Sequence, residues 1–466
     1  MLPEDVFEGR VRVAGAAALA GILAVFATLS YWQLFRTDLA THDDNPRVLA
    51  AFSNPHRGRI LDRDGNVLVE SLADGTRHYR DASVAHAVGY IDARYGSQGA
   101  ELAFNSELAG ESGAGWRGAV DAELRRTAIR GADVRLTLDA RVQAAAATAL
   151  GARPGAIVAI DPRNGEVLAM VSVPTYDPGS LATAGEALLK DPSSPLLNRA
   201  TQGLYTPGST FKTVTAASAL ENKVIQPTTT VNCPGEIVID GFHINCANTA
   251  QGVGTYPFSA AFTYSVNAIF ANLGVSLGWD RLLATAGKLG FGESIPFALD
   301  TAPSIVVPAG TERTKVLLAS TAFGQGEILA TPLQMALIAA TIANQGVLVE
   351  PRLGLSASFD GETRAIDESV SRRVLDSSVA ATLRDLMVSV VANGQARGAN
   401  LPGITVGGKT GTAETGRDGK SHAWFIAFAP AENPTIAVAV IVEDGGRGGE
   451  VASPIAGQVL SAALRR

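Results

Sequence analysis

Three short stretches of this 466-residue chain hold residue types that together can run a serine acyl transfer. Ser209-Thr210-Phe211-Lys212 sets a hydroxyl and an amine three residues apart. Ser265-Val266-Asn267 adds a second hydroxyl and a carboxamide, and Lys409-Thr410-Gly411-Thr412 adds a second amine, two more hydroxyls and a glycine. Only seven lysines occur in the chain, among 38 basic residues, so an amine in both outer stretches stands out. A desolvated lysine, or one beside another cation, can give up its proton and serve as a base; arginine cannot.

The elements that must position these groups can be read around them. Pro207-Gly208 breaks the chain, Ser209 is a favoured N-cap or first-turn residue, and FKTVTAASALE continues as a helix. Spacing of three puts Ser209 and Lys212 on one face, near the positive helix end that favours an alkoxide. Alone, this stretch is better read as a capping serine with a solvated lysine one turn later. Ser265-Val266-Asn267 interrupts the apolar AAFTYSVNAIFANLG and, alone, describes a turn or cap. Lys409 to Thr412 reads as a strand whose glycine suits a ligand lying against the backbone, with an exposed edge strand as the alternative. GAIVAIDPRNGEVLAMVSVP gives two apolar runs and a turn, a hairpin covered on both faces. Strands at 134–138, 404–414, 423–429 and 435–442 and a closing helix at 454–464 accompany a helix that follows Asp139. Between the strand groups lies a long, mostly helical insertion. HRGRILDRDGNVLVES reads as a smaller hairpin turning at Asp64-Gly65.

Composition sets the bounds. Length alone suggests about two to three domains at roughly 150 residues each. A net charge of −7 and a pI near 5.5 argue against a nucleic-acid partner. Residues 13–34 hold no charge and are long enough to cross a bilayer of about 30 Å, longer than the apolar core of a cleaved signal peptide. Arg10 and Arg12 on one side balance Arg36 and Arg47 on the other, so charge leaves the orientation open. Cys233 and Cys246 bracket Asp240 and His243; a disulfide, two free thiols and a metal site are the three readings, and the spacing fits no common zinc pattern.

The three stretches resemble the motif set of penicillin-binding proteins and serine β-lactamases, with Ser265-Val266-Asn267 in place of Ser-Asp-Asn. PHRGRILDRDGNVL, LLNRATQGLYTPGSTFK and FGQGEILATPLQMALIAATIANQG are similar to longer blocks of class B penicillin-binding proteins, the monofunctional peptidoglycan D,D-transpeptidases. The short penicillin-binding protein A type is the most similar. The resemblance implies an α+β fold: an antiparallel five-stranded sheet flanked by helices, an all-helical subdomain, a small N-terminal β-rich module and one transmembrane helix. It divides the chain into a cytoplasmic tail (1–12), an anchor (13–34), an N-terminal module (37–150) and a transpeptidase domain (151–466), with the body outside the cell, where a Cys233–Cys246 bond can form.

It also implies roles. Ser209 is the nucleophile, Lys212 its base and Ser265 a proton relay; Asn267 holds Lys212 and the substrate amide; Lys409, Thr410 and Thr412 bind the substrate carboxylate, and Gly411 permits close approach to the strand. No cofactor or metal is implied. The implied partners are stem peptides ending in D-Ala-D-Ala, β-lactams as covalent inhibitors, the membrane and a SEDS-type polymerase. Two alternatives differ in kind. One is a D,D-carboxypeptidase or β-lactamase-type hydrolase; against a class A β-lactamase stands the lack of an E-x-x-L-N segment. The other is a non-catalytic β-lactam sensor, although only about a dozen residues precede the apolar run. Trp424 is expected in the core and His422 at the surface. Glu327 should mark a loop that leads to a Thr331-Pro332 helix start. Arg57, Arg59, Asp62 and Arg63 should form ion pairs inside the N-terminal module.

Overall fold

The computed structural model describes residues 56–110, 130–246, 251–416 and 419–465, with helical stretches between 15 and 31. The continuous apolar runs build its centre. Strands β1 (Gly155–Ile160), β2 (Val167–Val173), β3 (Gly407–Glu414), β4 (Ser421–Ala429) and β5 (Ile436–Val442) form one antiparallel sheet in the order β3-β4-β5-β1-β2. Every residue of β5 and β1 is buried, which requires cover on both faces. Helices α1 (Ala140–Leu150) and α6 (Ala452–Leu464) supply part of that cover, packing on each other and on the sheet. So does α4 (Pro332–Ala343), which lies on β5 and β1 with all of its residues buried. Its start has the expected form: Thr331 accepts from the Gln334 N–H and Pro332 takes the first position, where no N–H is required.

The insertion between β2 and β3 contains α2 (Lys212–Glu221), α3 (Asn267–Leu277) and α5 (Ser377–Ala392) beside α4. It is not wholly helical. Thr230–Cys233 pairs with Gly254–Pro257 and Glu236–Ile239 with Phe242–Asn245, and a disulfide joins Cys233 to Cys246 across 6.0 Å between their Cα atoms. That bond engages both thiols and leaves Asp240 and His243 without the thiolate ligands of the metal reading.

The N-terminal strands form a second sheet that a later part of the chain completes. Its order is Glu362–Ala365, Gly354–Phe359, Asp133–Leu136, Ile60–Leu61, Val67–Ser71, Arg77–Tyr79. Asp62 closes the first hairpin by accepting from the N–H groups of Asp64 and Asn66. The chain thus passes between the two sheets three times, leaving the N-terminal sheet after residue 136, returning to it at 354–365 and leaving again before β3. Arg57 and Arg77 both pair with the fully buried Glu101 at 2.8 and 2.7 Å, and Arg59 pairs with Asp133. Arg63 departs from the expected in-module pairing: it reaches Glu166 in the β1–β2 turn at 3.0 Å, which Arg352 also holds at 2.6 Å.

Parts of the apolar run at 13–34 lie outside the described residues. Those described within it are helical and exposed, Leu19 and Leu23 each by 60%. Among the described residues no helix is long and apolar enough to cross a membrane.

Glu101 neutralises two guanidinium groups that water does not reach, so removing it strands buried charge. Glu101→Ala should destabilise the protein by about 3–5 kcal/mol. Denaturant titration should show the midpoint falling accordingly; an unchanged midpoint would mean that the arginines find other partners.

Candidate active site

The first motif does not fold as a simple capped helix. Gly208–Phe211 forms a 3-10 turn that runs directly into α2, and Ser209 sits inside that turn rather than capping it. Side chains three apart eclipse in a 3-10 turn, so Ser209 and Lys212 share a face. Two hydroxyls tie the turn down, Thr210 donating to the Pro207 carbonyl at 2.6 Å and Thr213 to the Thr210 carbonyl at 2.7 Å.

Two glycines bring this turn against β3. Gly208 has φ +55°, and a Cβ there would lie 2.8 Å from the Thr412 carbonyl oxygen; a Cβ at Gly411 would lie 2.7 Å from the Pro207 carbonyl oxygen. The Ser209 turn therefore needs Gly411, where the sequence pattern alone suggested a ligand against the strand. The Thr412 carbonyl faces Gly208 and accepts from Gln325 Nε2 at 3.4 Å. It thus points away from β4. The N–H and C=O of one strand residue point to the same side, so the Thr412 N–H points to the cleft beside Ser209.

The two lysines are wholly buried and meet at one hydroxyl. Lys212 Nζ lies 3.0 Å from Ser265 Oγ, and so does Lys409 Nζ. Lys212 also donates to the Ser265 carbonyl at 2.8 Å and to Asn267 Oδ1 at 2.6 Å, and Lys409 donates to the Thr410 carbonyl at 3.1 Å. Burial pushes the Lys212 amine well below its ordinary range, and the adjacent Lys409 charge lowers it further. Burial alone lowers Lys409 to about 7. A neutral Lys212 satisfies all three contacts: two N–H groups go to two carbonyl oxygens, while the Ser265 hydroxyl donates to the nitrogen lone pair. Lys409 then donates to Ser265, completing a proton path from one amine to the other.

Ser265 reaches this position through a left-handed backbone, φ +62°, between the helix Phe258–Thr263 and α3, which Asn267 opens. Phe270 lies under Lys212, 5.3 Å from amine to ring centre, and Phe262 under Lys409 at 5.9 Å. Both rings fall in the stretch read as an apolar surround, and their contact with the amines had no sequence signal. Gln325 was also missed, although it lies inside the quoted FGQGEILATP block. Ser209, Lys212, Ser265, Asn267, Lys409 and Gly411 therefore converge on one cleft. Thr410 is buried and Thr412 is exposed at the rim, two residues apart on one face of β3. Trp424 is fully buried in β4, and Glu327 is exposed in the loop before α4. His422 is only partly exposed: it accepts from the Asp444 N–H and meets the Tyr205 ring.

Comparison with known proteins agrees with this geometry. The model of the penicillin binding protein transpeptidase domain matches residues 155–461, and that of the penicillin binding protein A dimerisation domain matches residues 57–134. The peptidoglycan D,D-transpeptidase PbpA of Mycolicibacterium smegmatis is 36% identical, over 98% of this chain and 99% of its own. The ceftriaxone acyl-enzyme of penicillin-binding protein A from M. tuberculosis superposes with a TM-score of 0.82 at 34% identity, covering 90% of this chain and all of that one. A D,D-transpeptidase domain from Eggerthella lenta gives 0.78 at 36% identity, over 88% of this chain and 98% of its own. With motifs, sheet and relatives in agreement over nearly the whole length, the chain belongs to the penicillin-binding protein transpeptidases, of the penicillin-binding protein A type.

Proposed function

We propose that this protein is a serine D,D-transpeptidase that cross-links peptidoglycan stem peptides through an acyl-enzyme on Ser209, and that β-lactams acylate the same oxygen. The observation that carries this reading is the meeting of both amines on the Ser265 hydroxyl, with Ser209 one turn from Lys212.

Ser209 Oγ attacks the carbonyl carbon of the penultimate D-alanine, and its proton passes to neutral Lys212. The backbone N–H groups of Ser209 and Thr412 receive the oxyanion. The carbon–nitrogen bond then breaks, and the departing D-alanine amine takes a proton by way of Ser265. Asn267 fixes Lys212 and meets the substrate amide, while Lys409, Thr410 and Thr412 hold the terminal carboxylate. An amine from a second stem peptide attacks the ester, returning Ser209 and closing the cross-link. Residues 37–150 would serve as the N-terminal module and 151–466 as the catalytic body, held outside the cell by an anchor at 13–34 and working beside a SEDS-type polymerase in division or wall growth.

Fluorescent penicillin should label the wild-type protein and persist for many minutes, while Ser209→Ala should lose labelling with its unfolding midpoint unchanged. Labelling of that variant would remove the nucleophile assignment, and rapid release of the label would favour a hydrolase. Lys212→Arg keeps the charge but cannot act as a base, so acylation should fall by about 10²–10⁴-fold, the usual contribution of a general base.

The pH dependence follows from the two amines. Acylation needs Lys212 neutral and Lys409 charged. Because Lys409 has been lowered to about 7, raising the pH through that value removes the cation that grips the carboxylate. The second-order acylation rate should decline on the alkaline side near there. Lys409→Arg, which cannot titrate in this range, should lose that decline; an unaltered alkaline limb would place the titration on another group.

A further inference from the structure

The segment that leads into Ser209 is held at two consecutive residues by groups that no part of the acyl-transfer chemistry requires. The indole Nε1 of Trp424 donates to the Thr206 carbonyl at 2.9 Å, three residues before the nucleophile. Trp424 is fully buried and pairs across β3–β4 with Gly411, the residue against which the nucleophile's turn packs. One side chain therefore links the two backbone segments that supply the oxyanion donors. The Tyr205 ring meets the Trp424 ring edge to face at 6.2 Å and 76°. Its hydroxyl donates to Glu443 Oε1 at 2.7 Å, and Arg199 Nε donates to the same oxygen at 2.7 Å. Glu443 directly follows β5 and is fixed by its own N–H on the Pro154 carbonyl at 2.7 Å, so the phenol is moored to the end of the sheet. The Tyr205 backbone exchanges both hydrogen bonds with Ala330, just before α4.

We infer that Trp424 and Tyr205 are positioning residues for the acylation step: the indole and the Glu443-bound phenol clamp residues 205–206 and thereby set the gap between the Ser209 and Thr412 N–H groups. A buried tryptophan serving only as filler would not need its N–H aimed at this carbonyl, although a buried indole does seek some acceptor. The choice of acceptor is what matters, because a shift of about 1 Å in reacting groups can slow a reaction by about 10²-fold. The inference rests on Ser209 being the acylated residue, which is tested separately by the loss of label in Ser209→Ala.

Stopped-flow acylation by a chromogenic cephalosporin separates the dissociation constant of the first, noncovalent complex from the rate constant of the covalent step. Trp424→Phe keeps a ring in the core and deletes the N–H. It should lower the covalent rate constant by about 10–100-fold and leave the noncovalent constant within about twofold. Tyr205→Phe removes one oxygen and should lower the covalent rate about 3–10-fold, the scale of one hydrogen bond. The double variant should lose less than the product of the two effects, as expected for one device. Wild-type rates in both single variants would overturn the inference. So would a parallel loss of noncovalent affinity and rate, or a lower thermal midpoint with unchanged acylation per folded molecule, since a purely structural role predicts those results.

Discussion

Two buried amines that share one hydroxyl impose the constraint from which the rest of this structure follows. Lys212 and Lys409 each lie 3.0 Å from Ser265 Oγ, so their nitrogens are no more than about 6 Å apart. Two full charges at that distance repel by roughly 3 kcal/mol at an effective dielectric constant of about 20, equivalent to about two pK units. Burial disfavours each charge besides. The cleft therefore holds one proton between two amines, which leaves the other amine a base without any carboxylate or imidazole to activate it. Arginine at position 212 would carry a permanent charge and could not become that base.

Holding two nitrogens and a hydroxyl to within a fraction of an ångström demands elements that do not give. β3 presents Lys409 from the rim of a sheet whose inner strands are buried on both sides, and α2 fixes Lys212 one turn from Ser209. The third group arrives on a turn, and there the backbone is strained: a left-handed serine costs on the order of 1–3 kcal/mol. Its surroundings hold it there. The Ser265 carbonyl takes one Lys212 hydrogen, α3 starts two residues later, and Phe262 and Phe270 lie against the two amines. Aromatic faces provide weak attraction for a cation while excluding water, so they hold the charge without supplying a counter-ion that would raise the pKa of Lys212.

The residues that meet in the candidate site were legible in the sequence because their types are unusual where they stand: an amine in a strand, a hydroxyl and carboxamide in an apolar stretch, and lysine itself in short supply. The sheet was legible for a related reason, since runs such as GAIVAI and IAVAVIV are too continuously apolar for anything but strands covered on both faces. What the sequence withheld is whatever depends on contacts between distant segments. Gly411 looked like a place for a ligand, yet it answers to Pro207 some two hundred residues earlier. Arg63 looked like a partner for its own module, yet it reaches Glu166. Strands 354–359 and 362–365 carry no mark that they belong with residues 60–79, because the pairing of 354–359 on residues 133–136 joins segments more than two hundred residues apart. The two small hairpins around the disulfide were hidden by shortness, as four residues show no periodicity.

The shared N-terminal sheet has a mechanical consequence. Glu166 sits in the turn between β1 and β2, held by Arg63 from the N-terminal strands and by Arg352 from the segment that returns to them. β1 adjoins β5, β5 adjoins β4, and β4 pairs residue by residue with β3, which bears Lys409. A displacement of the N-terminal module relative to the body therefore acts on one end of a continuous hydrogen-bonded sheet and not on a loop. Side chains on such a sheet interdigitate at near-crystalline density, so it transmits strain with little absorption. The Ser209 turn is not part of that sheet; it packs on β3 where Gly208 and Gly411 permit close approach. A slide of β3 would therefore bear first on that close contact, which the Trp424 indole also ties to Thr206 from β4.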